Sequence, residues 1–276
     1  MMNYIGTFLD FVDGYRLDKR VTTHPVLSSP WCLIIGVTLY LLVVKRWGPR
    51  FMANRKPYNV EGIMMAFNVM QIILNLYIFV ASLRHTYWRS DFSLTCEAYN
   101  PDDMRPETLN FSTPALWYLI SKYFDFLDTI FFILRKKFNQ ISFLHVFHHT
   151  SVAILVHIYT ANYFASHLTS TGIINSFVHL VMYSYYQLAA MKLNINLQPW
   201  KRLMTQLQMF QFLLLAIHFS LPLINNWCKI ETGFIALCCV ENVCVTALFA
   251  NFYYKTYIRK DRKKVSNNGT TSLKAQ

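Results

Sequence analysis

The residues best suited to chemistry are His145, His148 and His149, in the stretch HVFHH. On a helix they stand at i, i+3 and i+4, so the three rings share one face within about 100° of arc. Imidazole serves as nucleophile, proton carrier, hydrogen-bond donor or metal ligand. A second polar stripe lies upstream in KYFDFLDT, where Lys122, Asp125 and Asp128 recur every three residues. Downstream, NSFVHLVMYSYY puts His179, Met182, Tyr183 and Tyr186 on one face, with Asn175 one turn before His179. A fourth stripe, TQLQMFQF, repeats Thr205, Gln208 and Gln211 at intervals of three. All lie in or beside apolar runs, where ionisable groups are expensive and mark functional sites. Singly, an intramembrane His or Tyr is usually a helix–helix hydrogen bond. Four stripes on neighbouring segments point instead to one enclosed polar pocket. His157 and His218 stand alone and read as packing residues, and the isolated Glu241 reads as a partner for a neighbouring helix.

Seven apolar stretches must hold these residues in place: 28–44, 60–83, 114–134, 141–160, 167–190, 203–221 and 233–254. Each is near the roughly 20 residues a bilayer requires. Only 14% of the 276 residues are charged, whereas 54% are hydrophobic; a soluble domain runs nearer 25% charged. Mean hydropathy is a modest +0.26, because Tyr, Gln, Asn and His interrupt the runs, as expected for segments lining a polar cavity. The N-terminal MMNYIGTFLDFVDG has no basic or apolar signal-peptide region, so the first span is expected to do the targeting.

A net charge of +12 in a soluble chain would raise nucleic acid as a partner. Here the cations occupy short loops and the tail without any nucleic-acid motif, so membrane orientation and a polyanionic ligand account for them. Lys45, Arg46, Arg50, Arg55, Lys56, Arg135, Lys136, Lys137, Lys192, Lys201, Arg202 and the tail from Lys255 onward fall on one side. The other side holds fewer: Arg16, Lys19, Arg20, Arg84, Arg89, Arg105 and Lys229. The bias predicts a lumenal segment 1–27, a seven-helix membrane domain 28–254 and a basic cytosolic tail 255–276. Of two glycosylation sequons, Asn268 is then cytosolic and bare, and Asn110 lumenal but tight against the third span. The six cysteines show no CxxC pair or zinc spacing, so no metal is expected. Cys96 and Cys228 alone fall in lumenal loops, where disulfides persist, and are expected to pair.

KYFDFLDT, HVFHH, NSFVHLVMYSYY and TQLQMFQF, in that order and spacing, resemble the ELO family of very-long-chain fatty acid elongases across nearly the whole chain. HxxHH alone is shared with membrane di-iron desaturases; the four stretches together are far more specific. One departure is Asp125, where the family usually carries Glu.

The resemblance implies an enzyme of the endoplasmic reticulum membrane that condenses a long-chain acyl-CoA with malonyl-CoA, releasing CO2 and CoA. It implies seven helices, six of them enclosing an acyl tunnel, no cofactor beyond the two thioesters, and the ketoacyl-CoA reductase, dehydratase and enoyl-CoA reductase of the cycle as partners. The oligomeric state stays open. The family pattern points to His148 as acyl carrier, with His179 facing it. His145 and His149 would orient the rings, with Asp125 or Asp128 as hydrogen-bond partners. Tyr183 and Tyr186 join this constellation, and Asn175, Gln208 and Gln211 could donate to a developing enolate oxygen. Lys122, Arg135, Lys136, Lys137, Lys201, Arg202 and Lys255 are the cations available for CoA phosphates. Two other readings compete. A di-iron desaturase needs several histidine boxes where this chain has one, and a seven-helix transporter or receptor would not need the shared polar layer.

Overall fold

Long apolar runs without strand-like alternation should fold as helices, and the described residues are helical, with no strands. The computed structural model describes residues 17–224 and 228–259; Asn268 and the tail beyond Arg259 lie outside them. In chain order the helices are α1 (Trp31–Met52), α2 (Glu61–His85), α3 (Pro106–Asn110), α4 (Ser112–Phe124), α5 (Phe126–Leu134), α6 (Phe143–Asn162), α7 (Thr169–Ala190), α8 (Gln198–Ile224) and α9 (Thr232–Tyr253). A π-turn carries α9 on to Ile258. Helices thus occupy all seven expected stretches. By length and hydropathy α1, α2, α8 and α9 could each cross a membrane.

Two boundaries differ from expectation. In the sequence a cation pair, Lys45-Arg46, and the breaker Gly48-Pro49 bound the expected first span 28–44, yet α1 runs through them to Met52 by way of a π-turn at Val43–Trp47. Pro49 sits in the first turn after that irregularity, where its missing N–H costs little. Gly48 is required there: a Cβ would stand 2.7 Å from the Val43 carbonyl oxygen and 2.8 Å from the Ile133 side chain. The expected third span is two helices, α4 and α5, divided at Asp125. Its far end closes with Lys136 at φ 53°. The Lys137 N–H reaches Phe132 O and the Lys136 N–H reaches Ile133 O, a left-handed cap that satisfies the last carbonyls.

At one end of the bundle, loops and the N-terminal segment knit together. Cys96 and Cys228 form a disulfide, Cα–Cα 5.2 Å. Arg20 clasps Asp18 in a buried ion pair at 2.5 Å and donates to Phe164 O. Tyr99 donates to the same carboxylate. Val21, Leu27, Tyr118, Tyr159, Phe164, Leu168 and Phe219 fill the core beneath. At the opposite end, Tyr58 N–H donates to Leu134 O and Lys192 pairs with Glu61. There α6 begins, capped by Ser142, whose hydroxyl accepts the His145 N–H at 3.2 Å. This cap sets the phase of the histidine-bearing face.

Candidate active site

Asp125 stands at the break between α4 and α5, 3% exposed, and gathers a buried cluster. Its Oδ1 accepts from Gln71 Nε2 at 2.8 Å and Tyr183 Oη at 3.1 Å. Its Oδ2 lies 2.9 Å from Lys122 Nζ and 3.7 Å from His179 Nδ1. Lys122 also donates to Asn175 Oδ1 at 2.7 Å, and Tyr118 Oη donates to the same oxygen at 3.3 Å. Tyr183 Oη, fully buried, further contacts Asp128 Oδ2 at 2.7 Å. Charges enclosed this deeply persist only when paired and hydrogen-bonded, and here α2, α4, α5 and α7 each supply a partner.

The histidine face of α6 adjoins this cluster. His145 Nε2 lies 2.8 Å from Thr129 Oγ1, which lies 3.0 Å from Tyr40 Oη on α1. The His145 and His149 rings stand 4.3 Å apart, and His148 meets His149 at 5.6 Å and Phe212 at 5.2 Å. His148 lies within electrostatic range of His179, Lys122 and Asp125. Nδ1 of His148 and Nδ1 of His179 are both enclosed without a hydrogen-bond partner. A buried polar atom left open is uncommon; Gln71 Oε1, Asn75 Oδ1 and Gln211 Oε1 are enclosed in the same way.

The expected site residues divide into groups. His145, His148, His149, His179, Asp125, Asp128, Asn175 and Tyr183 come together. Tyr186 stands outside the hydrogen-bonded cluster, 42% exposed, its ring 5.9 Å from that of Tyr183. Gln208 is half-buried and directs its amide at the Met182 sulfur, 3.4 Å away. Gln211 is buried in the wall of a neighbouring cavity. Among the cations, Lys122 differs from the rest: it is 3% exposed, its ammonium committed to Asp125 and Asn175. Lys137, Lys201, Arg202 and Lys255 are exposed, and Arg135 and Lys136 partly so. Arg202 donates to Tyr253 Oη at 2.7 Å. These six lie at the histidine end, where a groove of about 550 Å³ runs past Lys45, Phe138, Phe143 and Phe147.

Sequence reasoning missed Gln71, Tyr118, Tyr40 and Thr129. Asn68, Gln71 and Asn75 recur at intervals of three and four on the buried face of α2, the signal that could have found Gln71. His157, read as packing, is fully buried and bonds Tyr123 Oη at 2.9 Å. His218 stacks on His167 at 3.8 Å.

Comparison with known proteins settles the kinship of this arrangement. The family model described as the GNS1/SUR4 family, ELO, matches residues 25–265. This chain belongs to the ELO family. It is 34% identical to very long chain fatty acid elongase 4 of Homo sapiens, over all of this chain and 88% of that protein. It is 34% identical to very long chain fatty acid elongase 7 of Drosophila melanogaster, over 94% of this chain and 81% of that one. Very long chain fatty acid elongase F of the same fly is 31% identical, over 88% of this chain and 95% of its own length. The ELO match takes in every helix from α1 to α9.

Proposed function

We propose that this protein elongates very-long-chain fatty acids by condensing acyl-CoA with malonyl-CoA, through an acyl group carried on His148. The observation that carries the reading is the pair of enclosed imidazoles, His148 and His179, each with Nδ1 open beside a fully paired Lys122–Asp125–Tyr183 cluster. Kinship with elongases supports the substrate class.

In the first half-reaction a neutral His148 nitrogen attacks the thioester carbonyl. The carbon–sulfur bond breaks, and CoA leaves as a thiol with the proton lost from the imidazole. Malonyl-CoA then loses CO2, and its enolate carbon attacks the acyl-imidazole. The carbon–nitrogen bond breaks, and the imidazole regains one proton from solvent. The products are 3-ketoacyl-CoA, CO2 and CoA. Asn175 and His179 would stabilise the enolate oxygen, while Lys122, paired with Asp125, holds Asn175 in register. Arg135, Lys136, Lys137, Lys201, Arg202 and Lys255, exposed or partly so, would receive the CoA phosphates. The chemistry needs no further cofactor.

The same reading has seven membrane spans, six around an acyl tunnel, in the endoplasmic reticulum. The N-terminus is lumenal, and the histidine end faces the cytosol and the other enzymes of the cycle. The disulfide at the opposite end, in an oxidising lumen, supports this orientation. A glycan on Asn268 would overturn it.

The test is acyl-CoA as sole substrate. Free CoA should appear at about one per enzyme, with an acyl mass gained and mapped to His148. His148→Ala should abolish both. No CoA above hydrolysis background and no mass shift would sink the covalent route in favour of direct attack on bound acyl-CoA. Malonyl-CoA-dependent release of CO2 tests the elongase reading itself.

A further inference from the structure

Glu241 on α9 takes no part in the histidine and carboxylate cluster. It is 8% exposed, and its Oε1 accepts from Ser151 Oγ on α6 at 2.8 Å. Ser151 follows His148 by three residues, about 4.5 Å further along the helix axis. Glu241 lines an internal cavity of about 30 Å³ together with Gln211, Asn175 and Asn242. The remaining wall is largely apolar, including Val152, Leu155, Leu215 and Phe219. Phe212 belongs to that wall and also packs edge-on against the His148 ring, so the cavity and the acyl-carrying histidine share a side.

A tunnel for a plain hydrocarbon chain should be apolar throughout. The cavity beside His148 instead carries a polar band, Glu241 and Gln211, about one turn past that histidine. Gln211 is 3% exposed, and its Oε1 is enclosed with no partner. Asn242 spends its amide on Cys238 O at 2.8 Å. Gln211 Oε1 accepts only, and the Glu241 carboxylate accepts as well. A saturated chain laid here leaves both facing methylenes, which is costly for buried polar groups. A ketone or epoxide could take an amide N–H from Gln211 or Asn175 but would leave both acceptors open, and a double bond offers no donor. Among the groups a fatty chain carries, a hydroxyl donates.

Resting on the elongase reading, we propose that the Glu241–Gln211 band is a specificity site for acyl-CoAs whose chain bears a hydroxyl group close to the thioester end. The cavity volume suits it, since one or two water-sized groups fill such a space. Sites built to hydrogen-bond a substrate hydroxyl discriminate strongly against the analogue lacking it.

The experiment uses the full-length protein in lipid nanodiscs with malonyl-CoA. Acyl-CoAs of one length are compared: saturated, and with a hydroxyl or a ketone at successive internal carbons. The readout is kcat/KM for CO2 release. At one or two adjacent positions the hydroxyl should outperform the saturated chain by about tenfold or more, and the ketone should not. Glu241→Leu should erase that ratio while keeping turnover of the saturated chain. Ser151→Ala, which frees the carboxylate without removing it, should lower the ratio severalfold, and serves if the leucine variant fails to fold. A wild-type enzyme with no hydroxyl preference at any position overturns the proposal, as does a preference that survives Glu241→Leu. No CO2 from any chain instead overturns the elongase reading beneath it.

Discussion

Nζ of Lys122 lies 2.9 Å from Oδ2 of Asp125, and both side chains are almost wholly enclosed. Removing one partner of a buried pair leaves the other charged and unsatisfied, at a cost of about 3–5 kcal/mol. Lys122→Met and Asp125→Asn should each lower the thermal midpoint in detergent and abolish condensation. The double variant should recover more stability than the two losses summed allow, without regaining activity. Strict additivity in that cycle would show that the two groups do not depend on one another.

His179 Nδ1 lies 3.7 Å from Asp125, beyond hydrogen-bond range. The usual family residue at this position, Glu, is one methylene longer and would span the gap. Asp125→Glu should therefore keep the Lys122 pair and raise the rate of malonyl-CoA-dependent condensation, leaving acyl transfer from acyl-CoA unchanged. Pre-steady-state CoA release followed by product formation separates the two phases. A drop in the first phase alone would contradict this account.

Tyr40 reaches His145 through Thr129 and stacks on Phe126 at 4.0 Å. Tyr40→Phe removes the hydroxyl and keeps the stack. Stability should fall by only about 1 kcal/mol, whereas kcat should fall roughly tenfold with KM for acyl-CoA unchanged, as expected for a mispositioned general base or orienter. Steady-state kinetics beside a melting curve would decide.

At the disulfide end, Arg89 and then Arg105 hold the Asp91 carboxyl well below the usual range, and Arg105 does the same for Asp103. Depressed folded-state values stabilise above the unfolded value of about 3.9. That contribution should be intact at neutral pH and lost as pH falls below about 4. Because Asp91 and Asp103 are largely solvated, its size is small. Glu97 behaves oppositely: burial raises its carboxyl, so its contribution is complete below the ordinary Glu value and declines as pH rises through the raised one. Hydrogen-exchange protection across 89–108, taken relative to the intrinsic exchange rate at each pH, should not fall between pH 7 and 5 and should drop in more acid solution. A drop already at pH 6 would assign control to another group.

The helical class and the apolar stretches were legible because the runs are long and apolar, and most are ended by charge. The polar stripes around Asp125, His145 and His179 stood out because intramembrane ionisable residues are rare, whereas the Thr205–Gln208–Gln211 stripe does not join their cluster. What escaped was what single residues do in three dimensions. Lys122 reads as one cation among several, and only the fold shows its ammonium turned inward to Asp125 and Asn175. Gln71 belongs to a run of amides, Asn68, Gln71 and Asn75, on one face of α2, and without charge or imidazole among them that run reads as ordinary helix contacts. Tyr40 lies on a helix with no polar stripe, so its link to His145 depends wholly on how α1 packs against α5. The Pro49 boundary was misread because a π-turn resets the helix before the proline, and that irregularity has no sequence mark.

The helices long and apolar enough to cross a bilayer unaided are α1, α2, α8 and α9. Lys122, Asp125, Asp128 and the histidines lie instead on α4 to α7. The side chains that make the site are thus the ones that weaken those segments as independent passengers of the insertion machinery, since each charge at mid-membrane depth disfavours partitioning. In the proposed topology α1 and α2 would insert first, leaving Gln71 and Asn75 facing a gap, and α4 to α7 would be retained as their polar faces find it and one another. A substitution that unpairs the cluster should then be cleared as an insertion failure before it is ever measured as a slow enzyme.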